Sequence, residues 1–263
     1  SMRSRFCGIH FFNPPRYMHL VEIIPCATSE AVMLDQLEEF LVTTLGKGVV
    51  RAKDTPNFVA NRIGVFSMLA CIHNADKFGI RFDVVDDLTG PRLGRPKSAT
   101  FRTADVVGLD TFAHVVKTMQ DTLPNDPWHP LFKSPEWLTK LIEAGALGQK
   151  TKAGIYKRDG KTKLVLDPKA GTYVETGVKG DDSVKEILKN KDVTAKLKAL
   201  RESSHPQAQF LWATFCDVFH YIAVHLADIA DNARDVDLAI RWGFGWSEGP
   251  FETWQAAGLK TVA

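Results

Sequence analysis

The chain has 263 residues, 44% of them apolar and 24% charged, which is an ordinary balance for a globular protein of one or two domains. A formal net charge of +2, from 33 basic and 31 acidic side chains, gives no reason to expect nucleic acid or an anionic membrane as partner. Cys7, Cys26, Cys71 and Cys216 lie far apart without a C-x-x-C pair, which speaks against zinc and a disulfide framework and fits a reducing, cytoplasmic setting. No signal peptide is evident, and no apolar run reads as long enough to span a bilayer.

In chain order, Phe6 to Phe12 and Met18 to Ile24 read as two short strands, linked by Asn13-Pro14-Pro15, which must turn or stay extended. Ser29-Glu30 opens a helix that Gly46 stops, and Gly48 to Ala52 reads as a third strand. Beyond Asp54-Thr55-Pro56 the apolar spacing becomes helical, through Phe58, Ile63, Phe66 and Leu69 to about Lys77, with Gly79 ending it. Further helices are expected at about 83–93, 98–107, 110–123 and 134–144, with the proline-rich 124–135 as a loop. Residues 156–175 suggest a small hairpin. An amphipathic helix over 182–203, a long apolar one over 205–231, and two more at 235–242 and 248–257 complete the pattern.

A weak internal repeat underlies this order. Val84-Val85-Asp86-Asp87, Gly94, Phe101, Gly108 and Leu109 have counterparts in Asp235-Val236-Asp237, Gly245, Phe251, Gly258 and Leu259. Both sets follow a long apolar helix, so two stacked helical units are expected, the second cut short at Ala263.

Candidate chemistry gathers near the front. A lone histidine in an apolar strand is commonly structural, but His10 stands at a strand end between apolar residues and a turn, where a side chain can point into a cleft. Glu22, twelve residues on, could bond the far ring nitrogen and fix the tautomer, the base-plus-orienter arrangement of general acid–base catalysis. A surface carboxylate is the competing account of Glu22. Asn61 is a poor helix former in the first turns of a long helix; its amide could bond a substrate oxygen or satisfy backbone groups. His220 and His225, five apart without an H-E-x-x-H pattern, read as helix-face residues. Arg92, Arg95, Lys97 and Arg102 form a basic cluster that could meet coenzyme A phosphates, although a solvated loop is the better account of it. Gly243-Phe244-Gly245 with Gly249 mimics a dinucleotide turn, but its third glycine is a residue late and a helix precedes it, so it reads as an inter-helix turn.

Taken together, His10-Phe11-Phe12-Asn13-Pro14, Met18, Leu20-Val21-Glu22, Asp54-Thr55-Pro56, Phe58 and Asn61-Arg62 resemble the signature of the L-3-hydroxyacyl-CoA dehydrogenases of fatty-acid β-oxidation. Gly148-Gln149-Lys150-Thr151 and Gly154-Ile155-Tyr156 resemble a later stretch of the same family. The resemblance implies that His10 takes the proton of the 3-hydroxyl and that Glu22 is its carboxylate partner. It places Asn13 near NAD and Asn61 on the substrate's oxygens. The family's upstream serine has no counterpart here.

The resemblance also implies a mainly α fold, with helical units like the C-terminal domain of 6-phosphogluconate dehydrogenases behind a small β remnant of a Rossmann domain. The expected division is 1–53 for that remnant, 54–180 for a first helical unit and 181–263 for a second. No G-x-G-x-x-G turn precedes His10, and Ser1-Met2 reads as a cloning remnant, so a fragment of a multifunctional bacterial protein that is inactive alone is expected. Its implied partners are an acyl-CoA substrate, a second copy in a homodimer and an enoyl-CoA hydratase domain. Two other readings stay open: a helical dimerisation or docking module, and a dehydrogenase of small hydroxy acids.

Overall fold

In a computed structural model, which describes residues 2–262, the chain begins with a three-stranded sheet in the order β1-β2-β3. Strand β1 (Cys7–Phe11) runs antiparallel to β2 (Leu20–Pro25), and β3 (Gly48–Arg51) lies parallel to β2 on its other side. The parallel pair needs a crossover, which helix α1 (Ala31–Thr43) supplies. Strand alternation divides β2 between two neighbours. Val21 and Ile23 pack on Leu34 and Leu41 of α1, whereas Leu20, Ile24 and, from β3, Val50 join the large core shared with the helices. Glu22 therefore faces the helical side.

That helical part opens with α2 (Ala60–Lys77), almost wholly buried, followed by α3 (Phe82–Leu88), α4 (Phe101–Val107), α5 (Leu109–Thr122) and α6 (Glu136–Glu143). The expected helix over 83–93 ends early at Leu88, where Thr89-Gly90-Pro91 breaks the backbone ladder and leaves only a short 3-10 turn over Pro91–Leu93. Residues 156–175 form three antiparallel strands rather than a hairpin: β4 (Tyr156–Asp159), β5 (Thr162–Asp167) and β6 (Thr172–Glu175). The polar Lys157-Arg158-Asp159 hides β4 from a hydropathy pattern. The amphipathic stretch after Asp182 is two helices, α7 (Asp182–Lys189) and α8 (Val193–Glu202), because the Asp192 side chain caps a new start by accepting from Thr194 N and Ala195 N.

Helix α9 (Pro206–Ile229) packs along α2 as the central helix pair. By length and hydropathy α9 could cross a bilayer, contrary to the sequence reading, yet its apolar face is filled by core contacts through Phe210, Leu211, Val218, Tyr221 and Ile222. Helices α10 (Ala233–Phe244), α11 (Pro250–Ala257) and α12 (Leu259–Val262) follow.

The internal repeat is a repeat of structure as well as of sequence. Asp86 on α3 accepts from the N–H groups of Thr100, Phe101 and Arg102 at the start of α4. Asp237 on α10 accepts from those of Phe251 and Glu252 at the start of α11. Gly94 and Gly245 both adopt φ of 68° in the intervening turns, and these two turns meet, with Ser247 N–H donating to Gly94 O at 2.7 Å. Arg95 lies 3.9 Å over the ring of Trp246, so the cluster residue that sequence left between coenzyme A and solvent is stacked inside this junction. Arg92 and Arg102 sit 3.8 and 3.9 Å from Asp87 and Asp86, on the same structural duty.

Candidate active site

His10 and Glu22 are direct cross-strand partners in the β1–β2 register. That places both side chains on one face, and His10 Nδ1 lies 2.7 Å from Glu22 Oε2. The Glu22 carboxylate is fully buried. Its other oxygen accepts from Val59 N–H at 3.1 Å and Ala60 N–H at 2.9 Å, in the first turn of α2. The positive end of that helix and two backbone donors offset the burial of a negative charge.

An ionised carboxylate only accepts, so the proton between the pair belongs to Nδ1. The lone pair of His10 is then on Nε2, which has no hydrogen-bond partner among the described residues. The ring is 29% exposed and packed between Phe12 and Phe58, with centroids 4.6 and 5.5 Å away. This is a fixed, partly open imidazole with its basic nitrogen turned away from its carboxylate, the geometry of a general base.

The segment between sheet and helix is bent to make this arrangement. Asn57 and Phe58 both take left-handed backbone angles, φ of 63° and 53°, which are unfavourable for a bulky aromatic residue. The bend lets the Phe58 ring reach His10 while Val59 and Ala60 turn their N–H groups to Glu22. Asn61 comes next on α2, half-buried, with no side-chain partner among the described residues. Asn13 lies just beyond β1, exposed, and its side chain is also unpaired among the described residues. The four candidates thus sit around one junction: His10 and Asn13 on or beside β1, Glu22 on β2, and Asn61 on the helix that Glu22 caps.

A cavity of about 570 Å³ lies elsewhere, between the far half of α2 and the small β4–β6 sheet, and none of these four residues lines it. Among the described residues no cluster of histidine, cysteine or carboxylate groups could hold a metal ion.

The later motif has a structural explanation. The Asp105 carboxylate accepts from Ile155 N–H and Tyr156 N–H at 2.8 and 2.9 Å, while Gly148 and Gly154 lie so close to Asp105 that a side chain at either would collide. Tyr156 in turn donates its hydroxyl to Asp86 at 2.8 Å. The motif therefore fastens the start of β4 to α3 and α4.

Two family models match, one described as the 3-hydroxyacyl-CoA dehydrogenase NAD binding domain over residues 1–55, the other as the 3-hydroxyacyl-CoA dehydrogenase C-terminal domain over residues 58–158. The chain belongs to the 3-hydroxyacyl-CoA dehydrogenase family. A probable 3-hydroxyacyl-CoA dehydrogenase of Bacillus subtilis is 44% identical over the whole chain, which spans 33% of that relative's length. A putative fatty acid oxidation complex trifunctional enzyme of Rickettsia prowazekii is 28% identical over 96% of the chain, which again spans about a third (34%) of the relative. Among solved structures, 3-hydroxybutyryl-CoA dehydrogenase of Escherichia coli K12 superposes with a TM-score of 0.68 at 20% identity, over 98% of this chain and 65% of the other, a likeness of fold. In this 3-hydroxyacyl-CoA dehydrogenase family chain, the sheet falls to the NAD-binding match and α2 to β4 to the C-terminal one.

Proposed function

We propose that this chain forms the catalytic edge of an enzyme that oxidises 3-hydroxyacyl-CoA to 3-oxoacyl-CoA with NAD, in fatty-acid β-oxidation. The carrying observation is the chain of contacts from His10 through Glu22 to the first turn of α2. In this reading His10 Nε2 takes the proton of the 3-hydroxyl as the C3–O bond becomes a carbonyl. The imidazolium so formed sits against the Glu22 carboxylate, which stabilises it without moving a proton. NAD, once bound, would supply the acceptor for the hydride leaving C3. Asn13, exposed just beyond the end of β1 and with an unpaired side chain among the described residues, suits a hydrogen bond to the cofactor. Asn61 presents its amide to the substrate's oxygens.

The proposal includes a division at 1–53, 54–180 and 181–263, with helical parts of the 6-phosphogluconate dehydrogenase C-terminal type. Further activities on one polypeptide, including a hydratase, find support in the trifunctional name of the Rickettsia relatives. A cytoplasmic homodimer belongs to the same proposal. Turnover of acetoacetyl-CoA to 3-hydroxybutyryl-CoA, followed by NADH absorbance on the full-length polypeptide, is the test. A preference for free 3-hydroxy acids over their CoA esters would sink it.

A further inference from the structure

Next to Asn61, Arg62 is 3% exposed and makes a network that no sequence pattern announced. Its Nε donates to the Tyr221 hydroxyl at 3.0 Å, and its Nη2 lies 3.4 Å from Asp126 Oδ2. Tyr221 donates to the same Asp126 oxygen at 3.3 Å, and His225 Nε2 stands 3.0 Å from it, close enough for an ion pair though not aligned for a hydrogen bond. The other Asp126 oxygen accepts from Trp128 N–H at 2.8 Å. These contacts hold the Asp126 carboxyl below its usual range: burial opposes ionisation, and the close His225 ring, the Trp128 N–H bond and the Arg62 charge outweigh it. The Tyr221 ring stacks on Phe66 with centroids 3.7 Å apart, closing a box of aromatic rings around the ions.

Three elements meet here: the first turns of α2, the loop before α6, and the middle of α9. The repeat makes the arrangement one-sided. At the offset of 151 residues that relates Asp86 to Asp237, Tyr221 corresponds to Ala70 and His225 to Asn74, while Asn61 and Arg62 correspond to Trp212 and Ala213. Two copies of the first helical group packed face to face would have an alanine and an asparagine where α9 supplies a phenol and an imidazole. At this offset the second group carries neither candidate site residue and carries instead the groups that grip the first.

We infer that Tyr221 and His225 are positioning residues for the His10–Glu22 pair, acting through Arg62 and Asp126. The path is short, with polar contacts at both ends joined by two residues of helix backbone. Glu22 holds His10 with one oxygen and the N–H groups of Val59 and Ala60 with the other, and Arg62, two residues beyond Ala60, is locked to α9. A shift of the first turn of α2 moves the carboxylate and, with it, the tautomer-fixing bond of His10. The inference rests on the acid–base reading of that pair.

The test uses Tyr221→Phe, His225→Asn and Arg62→Lys in the full-length polypeptide, with Arg62→Met for comparison. The expected result is a fall in kcat of about tenfold for 3-hydroxyacyl-CoA oxidation with KM within twofold, and a smaller loss in Arg62→Lys than in Arg62→Met. In the same samples the His10 ring signal in 15N-resolved NMR moves, reporting a changed Nδ1 bond. Tyr221→Phe removes one hydroxyl and keeps the stacked ring, so it tests the network even where a larger change unfolds the protein. Variants that only melt earlier, with kcat and the His10 signal at parent values, would overturn the inference. A His10→Ala protein as active as the parent would instead remove the acid–base reading, and the NMR signal alone would then decide whether α9 sets the ring.

Discussion

Glu22 divides its two oxygens between His10 and the start of α2: Oε2 meets the imidazole at 2.7 Å, and Oε1 takes two backbone N–H groups. Both tasks require acceptors. Glutamine has one acceptor oxygen and one amide group, so in Glu22→Gln the oxygen can keep the two N–H groups while the NH2 donates to Nδ1. This puts the His10 proton on Nε2, the wrong nitrogen for a base, and removes the negative charge from the helix start. The expected outcome is a lower melting temperature together with a fall in kcat of about 100-fold or more. NADH-coupled kinetics and a thermal melt on the same preparation check it; loss of one without the other would show that the two tasks are independent.

Asn61 separates stability from activity. Asparagine is a poorer helix former than alanine by roughly 0.5 kcal/mol, and this side chain has no partner to lose among the described residues. Asn61→Ala is therefore expected to melt at the same temperature or slightly higher while turning over at least about tenfold more slowly, the size of one lost substrate hydrogen bond. An unchanged kcat/KM would remove Asn61 from the site.

At Gly148 the prediction is purely structural. Its φ is 100°, and a Cβ there would stand 2.3 Å from the carbonyl oxygen of Asp105, a backbone atom that cannot swing aside. Gly148→Ala should destabilise the chain by about 3 kcal/mol or more, as strained backbone and overpacking combine. Denaturant titration would show this. The His10 ring signal in the folded fraction should stay put, since the atoms a Cβ would meet there all belong to Asp105.

Asp86 links stability to acidity. Burial pushes its carboxyl up to about 6, against the bonds from Phe101 N–H and the Tyr156 hydroxyl. The folded pKa lies above the unfolded one, so its contribution is full below about pH 4 and is lost as pH rises through about 6. Asparagine cannot titrate. Asp86→Asn should therefore lie further below the parent in stability at pH 4 than at pH 7, when urea midpoints are compared at both. A gap that widens with pH would reverse the sign and refute the assignment.

The His10–Glu22 pair was readable in the sequence because its parts are local. His10 and Glu22 lie on adjacent strands, so a short link and period-two alternation offer the pairing, and the antiparallel register settles that they share a face. The stop near Gly46 is local in the same way, whereas the amphipathic pattern over 182–203 runs straight through the Asp192 cap that divides it. The Arg62 network was out of reach for the opposite reason. Arg62 lies 64 residues from Asp126 and 159 from Tyr221, and each reads locally as something else: a helix charge, a loop acid, an apolar-helix tyrosine. His225 looked like a helix-face residue, yet it is 6% exposed, because α9 is buried by α2 on the side that carries it. Strand β4 was missed because its own residues are polar and its partner supplies the apolar face.

The packing of α9 along α2 has a consequence for how the molecule behaves on dilution. Each copy carries its own cover for the buried face of α2, held at an effective concentration set by the intervening chain rather than by the amount of protein present. The setting of the first helical group is then the same in a dilute sample as in a crowded one. A protease nick in the exposed Gly177–Lys179 stretch would convert that internal contact into an ordinary encounter between two pieces, and only then would concentration begin to matter.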